Sequence, residues 1–333
     1  DSAVPDDADA LLVLGPEGLN ERQAWEIGNA LHRGVGTLMA VQNHVYSYNP
    51  APRGGFSITA QQRSSGLESL LGHYGLAVRG EQFFDAENEV LDIPRTQNLG
   101  GLQFRTSEAV RAPMQIAVRG GQMNRELAIT NRLETLFYLW GTDLAKDPAR
   151  LAGLNLGCRT LFSSSERSWR KAFSADPLTQ ADVSAAGDRL EPEMPLAFLL
   201  DGQFPAPAGE RPAWPAMSDS AAAAEAPSMA QAAPGQLLLT GCAKLFEDPF
   251  LRAGQHAMLL LNAVDALALE GQLIGIRSKL VTQRSIKSIE AGRKLTARIL
   301  VVGLLPLLLT VYGILRMLMR RKETAIYQAG LSR

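Results

Sequence analysis

The stretch ALLVLGPEGLNERQAWEIGNALHRGVGTLMAV, residues 10–41, decides the fold that this sequence predicts. It opens with a short apolar run at 10–14, which a Gly-Pro turn ends, and this pattern is typical of a buried strand. Asn20 suits the N-cap of a helix that starts at Glu21 and keeps apolar residues at helical spacing. A second apolar run at 37–41 follows a glycine turn. Strand, helix and strand in this order predict a parallel pair of strands.

The same alternation continues along the chain. Apolar residues at helical spacing predict a helix over 65–74, and a strand follows at 77–84. Further strands are predicted at 115–118, 159–162, 196–200 and 236–240, and further helices at 125–139 and 255–269. Together these elements favour an α/β fold over residues 1–280: a three-layer sandwich, Rossmann-like or flavodoxin-like, around a mostly parallel sheet.

An uncharged run near the end of the chain predicts a membrane span. Residues 299–315 read ILVVGLLPLLLTVYGIL, and a helix extended to residue 319 covers roughly 30 Å, the thickness of a bilayer's hydrocarbon core. We therefore expect one transmembrane helix at 299–319, a basic juxtamembrane stalk at 281–298 and a tail at 320–333. A buried core helix is the alternative, but the run has no polar stripe for a solvent-facing side.

One internal segment, 205–235, differs from the rest in composition. Alanine, proline and serine dominate it, and it holds almost no large apolar residue. This composition predicts a mobile surface loop between two strands. Trp214 favours the alternative, a segment that orders on contact with a partner.

Composition also limits the classes of function. The net charge is −1, which argues against a nucleic-acid partner because phosphate binding needs concentrated Lys and Arg. Cys158 and Cys242 form no CxxC pair, and the histidines follow no HxxxH or HExxH pattern, so neither a metal nor another cofactor is predicted. The glycine-containing stretches at 53–55 and 119–122 lack the GxxxxGK[ST] pattern, so we do not expect this chain to be an ATPase.

Several short motifs occur in an order that is familiar from one family. They are VPDDAD (4–9), ALLVLGP (10–16), TLMAV (37–41), GL (66–67), YGL (74–76), FD (84–85), SSSERSW (163–169), DGQF (201–204), LLLTGCAKLFEDP (237–249), LLNAVD (260–265) and IRSK (276–279). In this collinear order, followed by the apolar C-terminal run, the chain resembles the C-terminal half of the Gldg family. These proteins are auxiliary subunits of ABC transporters, first associated with gliding motility. Residues 96–142 and the Ala/Pro-rich segment fall outside the resemblance.

The resemblance implies a function and a location. It implies a non-catalytic, membrane-anchored auxiliary subunit of an ABC-type transport complex, whose α/β domain binds a partner or cargo outside the cytoplasm. The implied location is the inner membrane, and the implied partners are the permease, indirectly its ATPase subunit, and membrane lipid. Family members carry a further N-terminal portion, which implies that the sheet is incomplete here. The upstream part of the same polypeptide or another subunit would complete it. An envelope scaffold unrelated to transport is an alternative.

A second alternative is an enzyme of the amidotransferase or hydrolase kind with Cys242 as its nucleophile. His256 and a nearby carboxylate would then supply a base and an acid. A GxCxG nucleophile elbow needs small residues two positions before and two after the nucleophile, and Thr240 and Lys244 do not suit it. We therefore expect a structural role for Cys242 and no catalysis.

Four residues form a candidate ligand site by analogy of fold. Gly15 and Pro16 follow the first predicted strand, and Gln42 and Asn43 follow the second. Open α/β sheets bind ligands at the carboxyl ends of their strands, so these residues are the candidates.

Three basic residues of the predicted stalk form a candidate docking site. Arg293, Lys294 and Arg298 precede the apolar run, and contact with anionic lipid headgroups or acidic loops of the permease is one role for them. A solvated stalk without such contacts is the equal alternative.

Overall fold

The computed structural model describes most of the chain and divides it into two compact units, Asp1–Val281 and Thr282–Arg333. Every element labelled below belongs to the first unit. The described residues are 3–50, 56–99, 102–178, 183, 189–214, 231–252, 255–269, 306 and 309–317.

The elements of the first unit alternate irregularly along the chain. The strands are β1 (Ala10–Leu14), β2 (Gly36–Ala40), β3 (His44–Pro50), β4 (Phe56–Gln62), β5 (Leu76–Val78), β6 (Gln82–Asp85), β7 (Asn88–Leu99), β8 (Leu102–Arg119), β9 (Thr135–Leu139), β10 (Leu144–Lys146), β11 (Gly157–Ser163), β12 (Ser168–Lys171), β13 (Pro195–Gln203) and β14 (Pro234–Thr240). The helices are α1 (Glu21–His32), α2 (Glu68–His73), α3 (Pro148–Gly153), α4 (Asp248–Leu251) and α5 (His256–Leu269).

The strand–helix–strand prediction for residues 10–41 is confirmed. β1 and β2 pair in parallel, with Ala10 opposite Gly36 and Leu14 opposite Ala40. Asn20 caps α1 in a reciprocal box: its side-chain oxygen accepts the Gln23 N–H at 2.9 Å, and its own N–H donates to the Gln23 side chain at 3.0 Å. This box satisfies two backbone donors that a helix start leaves unpaired.

A five-stranded mixed sheet lies at the centre of the unit, in the order β1-β2-β14-β13-β11. β1, β2 and β14 run parallel, whereas β13 pairs antiparallel with both β14 and β11. β1 is one edge of this sheet, and β11 is the other. The parallel part is therefore limited to three strands.

The expected fold class, a mostly parallel three-layer Rossmann-like sandwich with a C-terminal span, is wrong. Outside the β1-β2-β14 group, the pairings of the described strands are antiparallel, in the sheets β3-β4, β5-β10, β6-β12 and β7-β8-β9. The strands near residues 115, 159, 196 and 236 and the helix near 255 were predicted correctly. The positions of these elements were predicted correctly, but the direction in which the strands pair was not. That direction depends on strands that are distant in the sequence.

Two local predictions also fail. Residues 125–139 were expected to be a helix, but β9 occupies their end and turns precede it, with the Asn131 N–H bonded to the Leu127 carbonyl. These turns direct three apolar side chains into the core: Leu127, Ile129 and Leu133. The spacing of these residues resembles that of a helical face, although the backbone is not a helix. The strand expected at 77–84 is two short strands, β5 and β6, which belong to different sheets.

For the C-terminal region the described part is short. Residues 309–317 are helical, and within the described part of the chain no helix has the length and apolar character needed to cross a membrane. The rest of the predicted span at 299–319, apart from residue 306, lies outside the described residues. So do the predicted stalk at 281–298 and the tail at 320–333.

Alternate side chains of the central strands point to opposite faces of the sheet, where they belong to two different hydrophobic cores. Met39 and Leu239 pack with Leu31 of α1 in one core, together with α2 residues. Leu38 and Leu238 belong to the other, which includes Leu259, Ala263 and Leu267 of α5 and much of the β8–β9 region. This follows from the two-residue repeat of strand side chains.

A third, aromatic cluster surrounds the hairpin β3–β4, and His44 lies inside it. The His44 ring stacks on Phe173 with centroids 5.6 Å apart, and the side chain is almost fully buried. Its Nε2 has no hydrogen-bond partner. Burial lowers the pKa of His44 from its usual 6.5 to about 4, although a backbone hydrogen bond to Gly80 opposes this. The histidine is therefore neutral in the folded protein at neutral pH.

We expect His44 to make the fold sensitive to mild acid. Between pH 6.5 and about 4 the unfolded chain binds the proton and the folded chain does not, so stability falls as the pH drops through this window. The loss approaches about 3 kcal/mol at the acid end, at about 1.4 kcal/mol per pKa unit. Urea unfolding at pH 7 and pH 5 measures it. His44→Phe should reduce the dependence and leave the part that buried His256 contributes in the same direction; a slope equal to that of the unchanged protein would contradict the assignment.

Candidate functional site

The carboxyl ends of the three parallel strands meet at one edge of the central sheet. Gly15 follows β1, Gln42 follows β2, and Cys242 follows β14 two residues after its end. Gly15 has a φ of +60° and a Cβ placed there would lie 3.4 Å from Ala243 Cβ. Gly15 and Gln42 both contact the turn at Ala243, so the structure brings these two predicted residues together.

Gln42 uses its whole amide to join backbone segments. Its Oε1 accepts the N–H groups of Ala243 at 2.9 Å and Lys244 at 3.4 Å. Its Nε2 donates to the carbonyls of His44 at 2.9 Å and Trp140 at 2.8 Å. A primary amide has two donors and two acceptor positions, and all are used here.

Asn43 points to a different place. Its Nδ2 donates to the Arg79 carbonyl at 3.0 Å and the Val78 carbonyl at 3.4 Å, and the residue is buried. Pro16 is half-buried beside Gly15. The small-ligand site at these four residues stays a prediction.

A loop after β9 covers this edge of the sheet. The Thr142 N–H donates to the Gly241 carbonyl at 2.9 Å, and the Tyr138 hydroxyl donates to the Thr142 carbonyl at 2.7 Å. A Cβ at Gly141 would overlap the Tyr138 ring and lie 2.7 Å from Cys242 Cβ. The close approach of the loop to β14 therefore requires glycine at 141.

Both ends of the covering loop are fastened. Trp140, a non-glycine residue with a φ of 60°, donates from its indole N–H to the Tyr48 hydroxyl at 3.2 Å. Asp143 is fully buried and bonds Arg170, with its Oδ2 2.7 Å from Nη2. Removing one member of a buried ion pair leaves a desolvated charge, so this loop is held firmly.

Cys242 and His256 do not form a nucleophile–base pair. Cys242 is fully buried, its thiol donates to the Leu139 carbonyl at 3.3 Å, and burial raises its pKa to about 12. His256 Nε2 accepts the Phe137 N–H at 3.0 Å, so the ring proton lies on Nδ1 and donates to the Leu245 carbonyl at 3.1 Å. Burial lowers the pKa of His256. Both ring nitrogens are engaged in structural bonds.

The motif at 163–169 lines a second feature, a cavity of about 350 Å³, and the motif at 84–85 contacts it through Ser165. Beside it Asp85, fully buried, accepts the Ser165 hydroxyl at 2.6 Å, the Ser165 N–H at 2.8 Å and the Glu87 N–H at 2.7 Å. Burial raises the Asp85 pKa and these bonds oppose the rise. Glu193, which also lines the cavity, has a φ of 53°. The sequence shows the motifs at 84–85 and 163–169 but gives no indication that they contact each other.

The beginning of the Ala/Pro-rich segment lies against α1. Arg211 pairs with Glu26 at 3.0 Å, and the Arg22 guanidinium lies 4.5 Å from the centre of the Trp214 ring. Trp214, which favoured partner binding, therefore contacts its own chain. Residues 215–230 lie outside the described part.

Two further candidate features concern metals and the stalk. Within the described residues, no three His, Cys, Asp or Glu side chains are grouped as metal ligands. Arg293, Lys294 and Arg298 lie outside the described residues, so docking through them stays a prediction.

These features define a mixed-sheet α/β domain whose carboxyl edge is built of structural hydrogen bonds. Residues 1–268 match the model of a family described as an ABC-type uncharacterized transport system, so the protein belongs to this family of ABC transport auxiliary components. No curated protein matches the chain. Among solved structures, the mmIFT52 N-terminal domain aligns with 13% identity and a TM-score of 0.39, over 78% of this chain and 76% of that one. A similarity at this level carries no functional conclusion.

Replacing the Gln42 amide should destabilise the fold. Gln42→Leu leaves the Ala243 N–H and the Trp140 carbonyl without their partner in a part-buried place, at a cost of about 2–3 kcal/mol in the free energy of unfolding. Chemical denaturation measures the loss. Gln61→Leu, on the exposed side of β4, is the matched control and should change stability by less than about 0.5 kcal/mol. Equal stability of the two variants would refute the structural role of Gln42.

The two free cysteines should differ in reactivity. Burial raises the pKa of both thiols, that of Cys242 to about 12, but Cys242 is fully buried whereas Cys158 is only half-buried. Since the thiolate is the reactive form, a disulfide reagent at pH 8 should modify Cys158 in the folded protein and reach Cys242 only after unfolding. Mass spectrometry of the labelled peptides identifies the site. Rapid labelling of Cys242 in the folded protein would contradict its structural role and would support the alternative in which Cys242 is a nucleophile.

Proposed function

We propose that this chain is a non-catalytic auxiliary subunit of an ABC-type transport complex, and that its first unit binds a protein partner along β1, which is an edge of the central sheet among the described strands. The family supplies the connection to ABC transport. The observation that carries the binding mode is the exposure of Leu12 and Leu14, at 43% and 41%, on an edge strand.

The β1 edge has the chemistry of a strand-addition site. An edge strand presents a row of N–H and C=O groups that its neighbour does not use. Edges are commonly protected by charged residues, proline or a bulge, and Ala10–Leu14 contains no charge and no proline and keeps regular register with β2. An extended segment of a partner would pair with this backbone and cover Leu12 and Leu14.

The non-catalytic part of the proposal is supported by the carboxyl edge. A thiol nucleophile needs a lowered pKa and a base within hydrogen-bond reach. Cys242 has a raised pKa, and both ring nitrogens of His256 form hydrogen bonds with backbone groups. An amidotransferase-like mechanism would require these hydrogen bonds to break before His256 could accept a proton from Cys242.

The particular partners are part of the proposal. The collinear motifs favour the Gldg-type subgroup, whose members act beside a permease, and indirectly its ATPase, on the outer side of the inner membrane. The added strand would come from another segment of the same polypeptide or from another subunit. Arg293, Lys294 and Arg298 are a second proposed contact, to the permease or to lipid. An envelope scaffold unrelated to transport would bind neither protein.

A charge at the β1 edge tests the proposed function. Leu12→Lys places an ammonium where the partner strand would bury a side chain, so co-purification with the permease and ATPase should fall at least about tenfold, while the thermal transition stays unchanged. Leu190→Lys is the matched control, because Leu190 is equally exposed at 43% and is not in β1. Complex recovery that is unaffected by Leu12→Lys would overturn the proposed binding mode. A chain that never co-purifies with either protein would overturn the transporter assignment.

A further inference from the structure

The outer edge of β9 is closed by side chains instead of a neighbouring strand. β9 pairs with β8 on one side, and no other described strand pairs with it. Alternate residues of a strand direct their backbone groups to the same side, and three residues face outward here: Thr135, Phe137 and Leu139. A strand edge presents N–H and C=O groups that would pair with another chain. Side chains from the segment after β14 bind these groups instead.

Two neighbouring residues at the start of α5 bind the N–H groups of this edge. The Gln255 Oε1 accepts the N–H groups of Glu134 and Thr135, the second at 3.1 Å. The His256 Nε2 accepts the N–H of Phe137 at 3.0 Å. The start of α5 is therefore attached to β9 through hydrogen bonds, one of which depends on a titratable ring.

Cys242 completes the closure at the carbonyl end of the edge. Its thiol donates to the Leu139 carbonyl at 3.3 Å. The segment after β14 also holds the other side of the His256 ring, because the Leu245 carbonyl accepts the Nδ1–H at 3.1 Å. The side chains of Cys242, Gln255 and His256 are called the edge seal below. The two residues that a thiol mechanism would use thus share a structural task.

His256 is the member of the edge seal that mild acid changes. The Gln255 amide does not ionise, and burial raises the pKa of Cys242 to about 12, so its thiol keeps its proton. A neutral imidazole has one acceptor nitrogen, whereas an imidazolium carries N–H groups on both nitrogens. A protonated Nε2 would face the Phe137 N–H, donor against donor, in a place where His256 is only 4% exposed. A closed seal and a protonated His256 are therefore incompatible.

Backbone atoms, and not charged side chains, hold the His256 ring. Burial is the main cause of its lowered pKa, and the bond to the Leu245 carbonyl opposes the shift. The titratable and charged side chains on the elements around the ring are Glu134 and Tyr138 of the β9 region, Cys242, Lys244 and Glu247 after β14, Asp248 and Arg252 at α4, and Asp265 more than two turns further along α5. Lys244 pairs with Glu247 at 2.6 Å, and Glu134 pairs with Arg125 at 3.4 Å. These charges are engaged with each other, so the two backbone bonds and burial set the protonation of the ring.

We propose that the edge seal is a pH-dependent latch, which closes the β9 edge at neutral pH and opens at Phe137 when mild acid protonates His256. In the open state the ring meets water, where its pKa returns toward the ordinary 6.5. The pKa in the closed state is lower, so the closed state is favoured above pH 6.5 and loses population as the pH falls, by up to about tenfold per pH unit. The opened edge offers a backbone donor with which an extended segment pairs. This inference concerns β9 and does not rest on the proposed function.

Hydrogen exchange of single amides, read by NMR in the full chain, tests the latch. The protection of the Phe137 amide should fall roughly twentyfold between pH 7 and pH 5, because the open state takes up a proton near pH 6.5. At pH 5 this amide should be less protected than that of Val41, which bonds the Thr240 carbonyl of the central sheet at 2.9 Å. Equal protection of both amides would mean that they exchange by unfolding of the whole unit, and it would overturn the proposal.

Two variants identify the histidine that is responsible. His256→Gln keeps an acceptor for the Phe137 N–H and a donor for the Leu245 carbonyl but does not titrate, so the protection of Phe137 should no longer change with pH. His44→Phe removes the other buried histidine and should leave the change at Phe137 as it is. The proposal fails if His256→Gln keeps the pH dependence or if His44→Phe abolishes it.

A measurement on the unchanged protein needs no variant. The imidazole nitrogen resonances of His256 should show the Nδ1–H tautomer at pH 7, and protonation of the ring in acid should coincide with loss of the Phe137 hydrogen bond. A ring that takes up its proton while the Phe137 amide stays protected would contradict the latch, because a protonated Nε2 cannot accept that N–H.

Discussion

The hydrogen bonds of the Gln42 side chain are the constraint on which the organisation of the first unit depends. They tie the end of β2 to the turn after β14 through Ala243 and Lys244, and to the loop after β9 through Trp140. Three parallel strands in one sheet would ordinarily leave a crevice at their carboxyl ends. Here these hydrogen bonds of Gln42 connect the central sheet to the β7-β8-β9 sheet at the carboxyl ends of the strands, and this connection is called the joint. The cost of leaving buried backbone groups unpaired makes this joint hard to open.

The joint also explains the state of the two residues that a thiol mechanism would use, Cys242 and His256. Burial that raises the Cys242 pKa, and bonds that engage both nitrogens of His256, are consequences of the same packing. Among the described residues, the backbone groups that could pair with a partner strand lie elsewhere, along β1 at the edge of the central sheet. A contact there agrees with an auxiliary component of a transport system.

Local features could be predicted from the sequence, and features that depend on distant contacts could not. α1 was predicted because Asn20, Glu21 and the helical spacing lie within one short segment. The hairpin β7–β8 was missed, although the glycine pair at 100–101 between two strand-like runs is a hairpin signal. The antiparallel direction of β13 and the role of Gln42 depend on partners far along the chain, such as Trp140 and Ala243. No period or spacing near these residues encodes those partners.

Amide hydrogen exchange of the chain alone and in its assembled transport complex tests the central claim, that partners bind the open strand while the carboxyl edge is structural. The account predicts that the alternate β1 amides that do not bond β2 gain protection in the complex, because an added strand pairs with them. The amides of Thr142 and Ala243, already bonded within the chain, should exchange slowly in both states. Unchanged exchange in β1 together with a change at Thr142 and Ala243 would contradict the account, because it would place the contact at the joint.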